Sequence, residues 1–173
     1  MEMDHIASIE LALKNERIEM EFYLNEAARS KNPLAKSMFN TLAKDEEEHM
    51  TRIKGLHEKL VSGGQWPADV PIEVSGTNIK QVLNEMVGKL GSSVSHDDDD
   101  VKALKRAVEF EAKGSRFYAE LARACENERE KNFFKFLSRI EREHQLSLSD
   151  SLAYLEDPEG WMMQHERAGL DGA

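Results

Sequence analysis

Apolar positions recur every three to four residues through four long stretches of the chain, at about 4–30, 33–62, 98–126 and 128–156. That is the period of a helix with one buried face, and the alternation of β-branched residues that marks strands is missing from all four. The pattern predicts an all-α bundle. Ser30-Lys31-Asn32-Pro33 separates the first two stretches. Asn32 suits the cap, and Pro33 suits the first helical position because proline has no N–H to leave unpaired. So short a connection makes the two helices antiparallel neighbours, and Glu126-Asn127-Glu128, with Asn127 as cap, predicts a second hairpin of similar size. Between the hairpins, residues 63–97 pass through Gly63-Gly64-Gln65-Trp66-Pro67, Pro71 and Gly76. Thr77 then caps a short amphipathic helix at about 78–90. A crossover of this length carries the chain back along the bundle. The expected organisation is therefore a bundle over 1–156 and a tail over 157–173, to which the pattern assigns no role. The run Asp97 to Asp100 opens the third long helix, where carboxylates are favoured by exposed N–H groups and the helix dipole.

The chain also repeats itself. At an offset of 95 residues Ala12 aligns with Ala107, Glu16 with Glu111, Phe22-Tyr23 with Phe117-Tyr118 and Ala27 with Ala122. The match continues through Phe39 with Phe134, Leu42 with Leu137, Glu46 with Glu141 and Glu48-His49 with Glu143-His144. Matching apolar residues are explained by duplicated packing. The charged ones need more. In the first helix the buried seam reads Ile6, Ile9, Leu13, Glu16, Met20, Tyr23, Ala27, and in the third Val101, Leu104, Val108, Glu111, Ser115, Tyr118, Ala122, Cys125. Glu46 and His49 interrupt the second seam, and Glu141 and His144 the fourth, so four glutamates and two histidines stand where the pattern asks for leucine. Glu16 and Glu46 are each 15 residues from position 31, in the first turn, and Glu111 and Glu141 straddle position 126 in the same way. Equal helical rises bring all four level. Each histidine follows its glutamate by three residues, nearly one turn, and shares its face.

Four carboxylates buried together would repel one another and lose their hydration, so the group must protonate, take up water or bind cations. Two divalent metals balance the charge. Oxygen ligands with one nitrogen per metal suit iron or manganese, while the general affinity order lets zinc or copper bind as well. Tyr23 and Tyr118, two turns beyond Glu16 and Glu111, are either core packing or phenols hydrogen-bonded beside the metals. Surface charge pairs account for Glu47, Glu48 and Glu143. His5, His57, His96 and His165 fall outside the Glu-x-x-His pattern and read as exposed or locally paired.

Composition narrows the partners. The 173 residues carry 33 acids against 23 Lys and Arg, a net charge of −10, which repels phosphate backbones and argues against nucleic acid. No stretch has the roughly 18 consecutive apolar residues of a membrane span, and Met1-Glu2-Met3-Asp4-His5 lacks the basic start and apolar run of a signal peptide. A cytoplasmic location is the expectation. The single cysteine, Cys125, excludes an intramolecular disulfide, a Cys-x-x-Cys pair and a thiolate-only metal cage within one chain.

Glu16-x6-Tyr23, Glu46-Glu47-Glu48-His49, Glu111-x6-Tyr118 and Glu141-Arg142-Glu143-His144 match the di-iron carboxylate pattern, a Glu from each of two helices plus Glu-x-x-His from each of the others. Over nearly all of 1–156 the chain resembles the rubrerythrin-like members of the ferritin superfamily, and the tail from Trp161 looks like that of its short members. The resemblance implies a ferritin-like four-helix bundle in which Glu16 and Glu111 are terminal ligands, Glu46 and Glu141 bridge two irons, and His49 and His144 each hold one. It implies redox chemistry at iron. Rubrerythrins reduce hydrogen peroxide at a di-ferrous site, and ferritins oxidise Fe(II) with dioxygen or peroxide before storing it. The chain departs from the rubrerythrin pattern in having no cysteine-rich rubredoxin module, so electrons would come from a separate protein or from iron itself. It also has Gly114 where many rubrerythrins carry an additional carboxylate about one turn past the third-helix ligand, which leaves open whether Glu109 substitutes. The expectation is a homodimeric di-iron oxidoreductase that reacts with peroxide or dioxygen. The alternatives are an iron-binding, ferroxidase or storage protein, and a structural bundle stabilised by zinc.

Overall fold

A computed structural model of the chain describes residues 5–63, 65–67, 77–94 and 98–170. Among the described residues the regular structure is entirely helical: α1 (His5–Arg29), α2 (Pro33–Gly63), α3 (Ile79–Leu90) with a following 3-10 turn (Gly91–Ser93), α4 (Asp98–Ala124), α5 (Glu128–Glu156) and α6 (Pro158–Leu170). The fold is an all-α ferritin-like bundle. His96, Asp97 and the turn-rich passage through Pro71 and Gly76 lie outside the described residues.

The hairpin turns are held by side chains that satisfy the first free N–H groups of the following helix. Asn32 Oδ1 accepts from the N–H of Leu34 at 2.9 Å and of Ala35 at 3.1 Å. Asn127 Oδ1 accepts from Arg129 at 2.9 Å and Glu130 at 3.3 Å. Thr77 Oγ1 takes the Ile79 N–H at 3.3 Å, at the start of α3. Asp98, Asp99 and Asp100 occupy the first turn of α4. Asp100 is buried and accepts the Asn32 backbone N–H at 2.9 Å, which ties the α1–α2 turn to the beginning of the second hairpin.

α1 packs chiefly on α2, and α4 on α5. The apolar core falls into two parts. Tyr23, Ala27, Leu34 and Phe39 of the first hairpin meet Leu104, Ala107, Leu148 and Leu155 of the second in one part. Ile9, Ala12, Ile53 and Leu60 meet Tyr118, Ala122, Phe134 and Leu137 in the other. On every long helix the positions between these two groups are those of the interrupted seam. A polar layer thus divides the core midway along the bundle.

The crossover helix α3 buries Ile79 and Leu83 against the first part of the core. Tyr154 of α5 donates to the Gly91 carbonyl at 2.5 Å, which fixes the turn after α3. Of the tail, Pro158–Leu170 forms α6, which folds back so that Trp161 is buried in the same part of the core. Its indole N–H bonds Asp150 Oδ1 at 2.8 Å. Asp157-Pro158 was the local sign of this helix, a capping side chain followed by a proline at the first helical position. Asp157 Oδ1 accepts the Gly160 N–H at 3.0 Å.

Candidate metal centre

The polar layer is assembled from all four long helices. Glu16 comes from α1, Glu46 and His49 from α2, Glu111 from α4, and Glu141 and His144 from α5; every one of them is buried. They form two overlapping groups, Glu16, Glu46, His49 and Glu141 in one and Glu46, Glu111, Glu141 and His144 in the other. Within each group the candidate ligand atoms all lie within 4.8 Å of one another. Glu46 and Glu141 belong to both groups. The two imidazoles, one from each hairpin, are stacked with ring centres 5.7 Å apart and planes inclined by 13°.

The tyrosines cross between hairpins. The Tyr23 hydroxyl donates to Glu111 and the Tyr118 hydroxyl to Glu16, while each ring stacks on the phenylalanine of its own hairpin, Phe39 and Phe134 respectively. They are therefore core residues and carboxylate partners at once. Burial, then the adjacent carboxylates, raise both phenols well above their ordinary value, so the hydroxyls remain donors.

Electrostatics differ around the ring of acids. Burial pushes Glu16 and Glu111 up, but His49 and His144 beside them, with hydrogen bonds, bring both below the ordinary carboxylate value. Glu46 and Glu141 are held well above it, by burial first and then by neighbouring carboxylates. His49 Nδ1 lies 2.9 Å from both Glu16 Oε2 and Glu46 Oε2. His144 has Glu46 and Glu111 oxygens 3.5 Å from Nδ1 and Asp45 Oδ2 3.5 Å from Nε2. Burial alone disfavours its charge, yet Glu111 and Asp45 outweigh burial and raise it to about 10.

The unpaired atoms show that these residues fit a metal pair. Glu46 Oε1, Glu111 Oε2, both Glu141 oxygens and both His144 nitrogens are buried without a hydrogen-bond partner. Each such group costs about 1–3 kcal/mol when left unsatisfied. Among the described residues no lysine or arginine is buried that could neutralise them. Cations answer both needs.

Three features depart from the sequence reading. The inward stripe of α1 passes through Glu19, which is buried, while Met20, placed in the seam by its apolarity, is only half-buried. Glu109 faces solvent and does not stand in for a carboxylate at Gly114. His5 is not locally paired: its Nδ1 lies 2.5 Å from Glu130, 125 residues away, and Ser8 donates to the other Glu130 oxygen at 2.7 Å. Of the remaining histidines, His57 lies 3.5 Å from Glu10 and His165 stacks on Trp161. Glu47 and Glu143 are exposed, and Glu48 pairs loosely with Arg52 at 3.7 Å.

A four-helix bundle whose centre gathers carboxylates and imidazoles in two overlapping groups defines a ferritin-like protein with a candidate di-metal site. The family model described as rubrerythrin matches residues 8–152, and the chain belongs to the rubrerythrin family. No curated protein and no solved structure gives a significant match. Among the described residues no helix is long and apolar enough to cross a membrane.

Proposed function

We propose that the chain is a di-iron redox protein, an oxidoreductase acting on hydrogen peroxide or dioxygen. The observation that carries this reading is the doubled cluster of buried acids and imidazoles, several of whose polar atoms have no hydrogen-bond partner, in a chain of the rubrerythrin family. Glu16, Glu111, His49 and His144 would hold one iron or the other, and Glu46 and Glu141 would be shared. Bound iron supplies the electrons by passing between ferrous and ferric states. The protein supplies the rest. Tyr23 and Tyr118 fix the orientation of Glu111 and Glu16 from the opposite hairpin. Burial and neighbouring carboxylates raise Glu46 and Glu141 in the metal-free chain, and as ligands they would be deprotonated, so metal uptake is coupled to proton release. The four glutamates have no exposed surface, which favours small oxidants over bulky organic substrates.

Cys125, the single cysteine, is buried, and burial with Glu130 beside it pushes its thiol up to about 12. A thiol held in that form is a poor redox partner, so the reading assigns electron supply to a separate donor protein or to Fe(II) itself. A homodimer in the cytoplasm completes the proposal, the dimer being checked by sedimentation and the location by cell fractionation. A second reading, iron oxidation for storage or delivery, draws support from the net charge of −10, which suits cation traffic.

Anaerobic loading with two equivalents of Fe(II) per chain, then rapid mixing with peroxide or dioxygen while ferric absorbance is followed, tests the reading. Fast oxidation by peroxide and slow oxidation by dioxygen is the result expected of a peroxidase. Fast oxidation by dioxygen, with uptake of many further irons per chain, would instead establish iron handling. Absence of oxidation by either would refute redox function and leave a structural metal site.

A further inference from the structure

Glu19 is the buried acid that the repeat does not explain. Its counterpart 95 residues later is Gly114, so only the first hairpin carries it. The side chain is 1% exposed. Asn15, one turn earlier on α1, donates to Oε1 at 2.9 Å, which leaves Oε2 buried with no partner. A Cβ at position 114 would lie 2.8 Å from Glu19 Oε1 and 3.1 Å from Glu141 Oε2. The two carboxyl groups therefore converge on the one place on this face of α4 that lacks a side chain. Neither Glu141 oxygen has a hydrogen-bond partner, so nothing in the protein binds these two acids to each other.

A residue there only to fill space would be apolar, since a buried acid with an unpaired oxygen is destabilising by itself. Asn15 holds Oε1, the same oxygen that lies beside Gly114 and the Glu141 carboxyl, while Oε2 stays buried and unpartnered. Resting on the di-metal reading above, we propose that Glu19 is a seventh metal-facing group, a fifth carboxylate that joins Glu141 in holding the metal pair from α1, and that Gly114 is the space that admits it. Two consequences follow from charge and symmetry. The metal positions, otherwise related by the repeat, are inequivalent. The additional negative charge favours the more highly charged, oxidised metals.

The test compares wild type, Glu19→Gln and Gly114→Ala by anaerobic Co(II) titration, read by calorimetry and visible absorption, and by the reduction potential of the iron-loaded proteins. Glu19→Gln keeps the volume and removes the charge, so the fold should be retained, as far-ultraviolet circular dichroism of the metal-free protein would record. The expected result is two Co(II) per chain in wild type. In Glu19→Gln one of the two binding steps should weaken about tenfold or more, with a changed Co(II) spectrum and a raised iron potential. Gly114→Ala, which pushes a methyl group between the two carboxylates, should shift the same readouts in the same direction. Variants that match wild type in both affinities, spectrum and potential would overturn the proposal while leaving the di-metal reading intact. A wild type that fails to bind two metals would overturn both, a result distinguishable because it needs no variant.

Discussion

On the inward face of α1 the chain reads Glu16, Glu19, Tyr23; on the same face of α4 it reads Glu111, Gly114, Tyr118. The outer members do matching work, each glutamate accepting from the tyrosine of the other hairpin and each tyrosine stacking on its own phenylalanine. The middle members do not match, for an acid stands in one and a bare backbone in the other. A second mismatch lies on the paired helices. Asp45 of α2 sits 3.5 Å from the outer nitrogen of His144, whereas the corresponding residue of α5 is Ile140. The duplicated positions assemble the cluster, and the unduplicated ones, Glu19 and Asp45, make its two sides chemically unequal.

The largest effect should come from the shared acids. Glu46→Ala and Glu141→Ala should each abolish two-metal occupancy, measured by metal analysis after anaerobic loading, because each acid belongs to both ligand groups. Retention of two metals by either variant would break the equivalence of the hairpins at this position.

The pH response of the metal-free chain comes next. Glu46 and Glu141 have raised folded-state pKa values, so the unfolded chain loses those protons first and their contribution to stability is lost as pH rises past the ordinary carboxylate range. His144, raised to about 10, contributes fully below its ordinary value and loses that contribution as pH climbs through about 10. Glu16 and Glu111, lowered, act oppositely: their stabilisation is present above the ordinary carboxylate value and is lost as pH falls. Metal ligands must be deprotonated, so the loaded protein gains as pH rises. The gap in unfolding temperature between loaded and metal-free protein should therefore widen from about pH 5 to about pH 8. Scanning calorimetry checks this, and a constant gap would mean that the acids do not store protons.

Tyr23→Phe and Tyr118→Phe should each destabilise the metal-free protein by about 1.5–3 kcal/mol in urea unfolding, the range for a hydrogen bond to a charged group. Near-equal values would confirm the matching roles of the crossed pairs. The smallest contrast is at the turns. Asn127→Ala should cost about 1 kcal/mol, as for an ordinary cap, and Asn32→Ala up to about 2 kcal/mol. Each Oδ1 serves two N–H groups, but Asn32 is buried and tied to α4 through Asp100, whereas Asn127 is half-buried. Equal costs would show that burial of the first turn adds nothing.

Much of this was legible along the chain because helix formation and capping are local. The three-to-four spacing, Asn32-Pro33 and Asn127 defined the hairpins, and glutamates in a leucine register at equal distance from each turn announced a charged layer. Glu19 was hidden for a physical reason. Adjacent residues on a helix differ by about 100°, so a seam traced by apolarity chose Met20, and the rotation that turns Glu19 inward was settled by how α1 packs against α2 and α4. The tail helix carried a readable start at Asp157-Pro158, but its docking depended on Trp161 finding Asp150 and Tyr154.

The sequence by itself determined four long helices, their pairing into two repeats, and the set of acids and imidazoles brought level at the centre. Tertiary structure alone decided which tyrosine serves which glutamate, that His5 is held by Glu130, and that Glu19 and Glu141 both reach the space beside Gly114. Those are contacts between residues about a hundred positions apart, and no local period encodes them. They exist only once packing fixes the rotation of each helix against its neighbours.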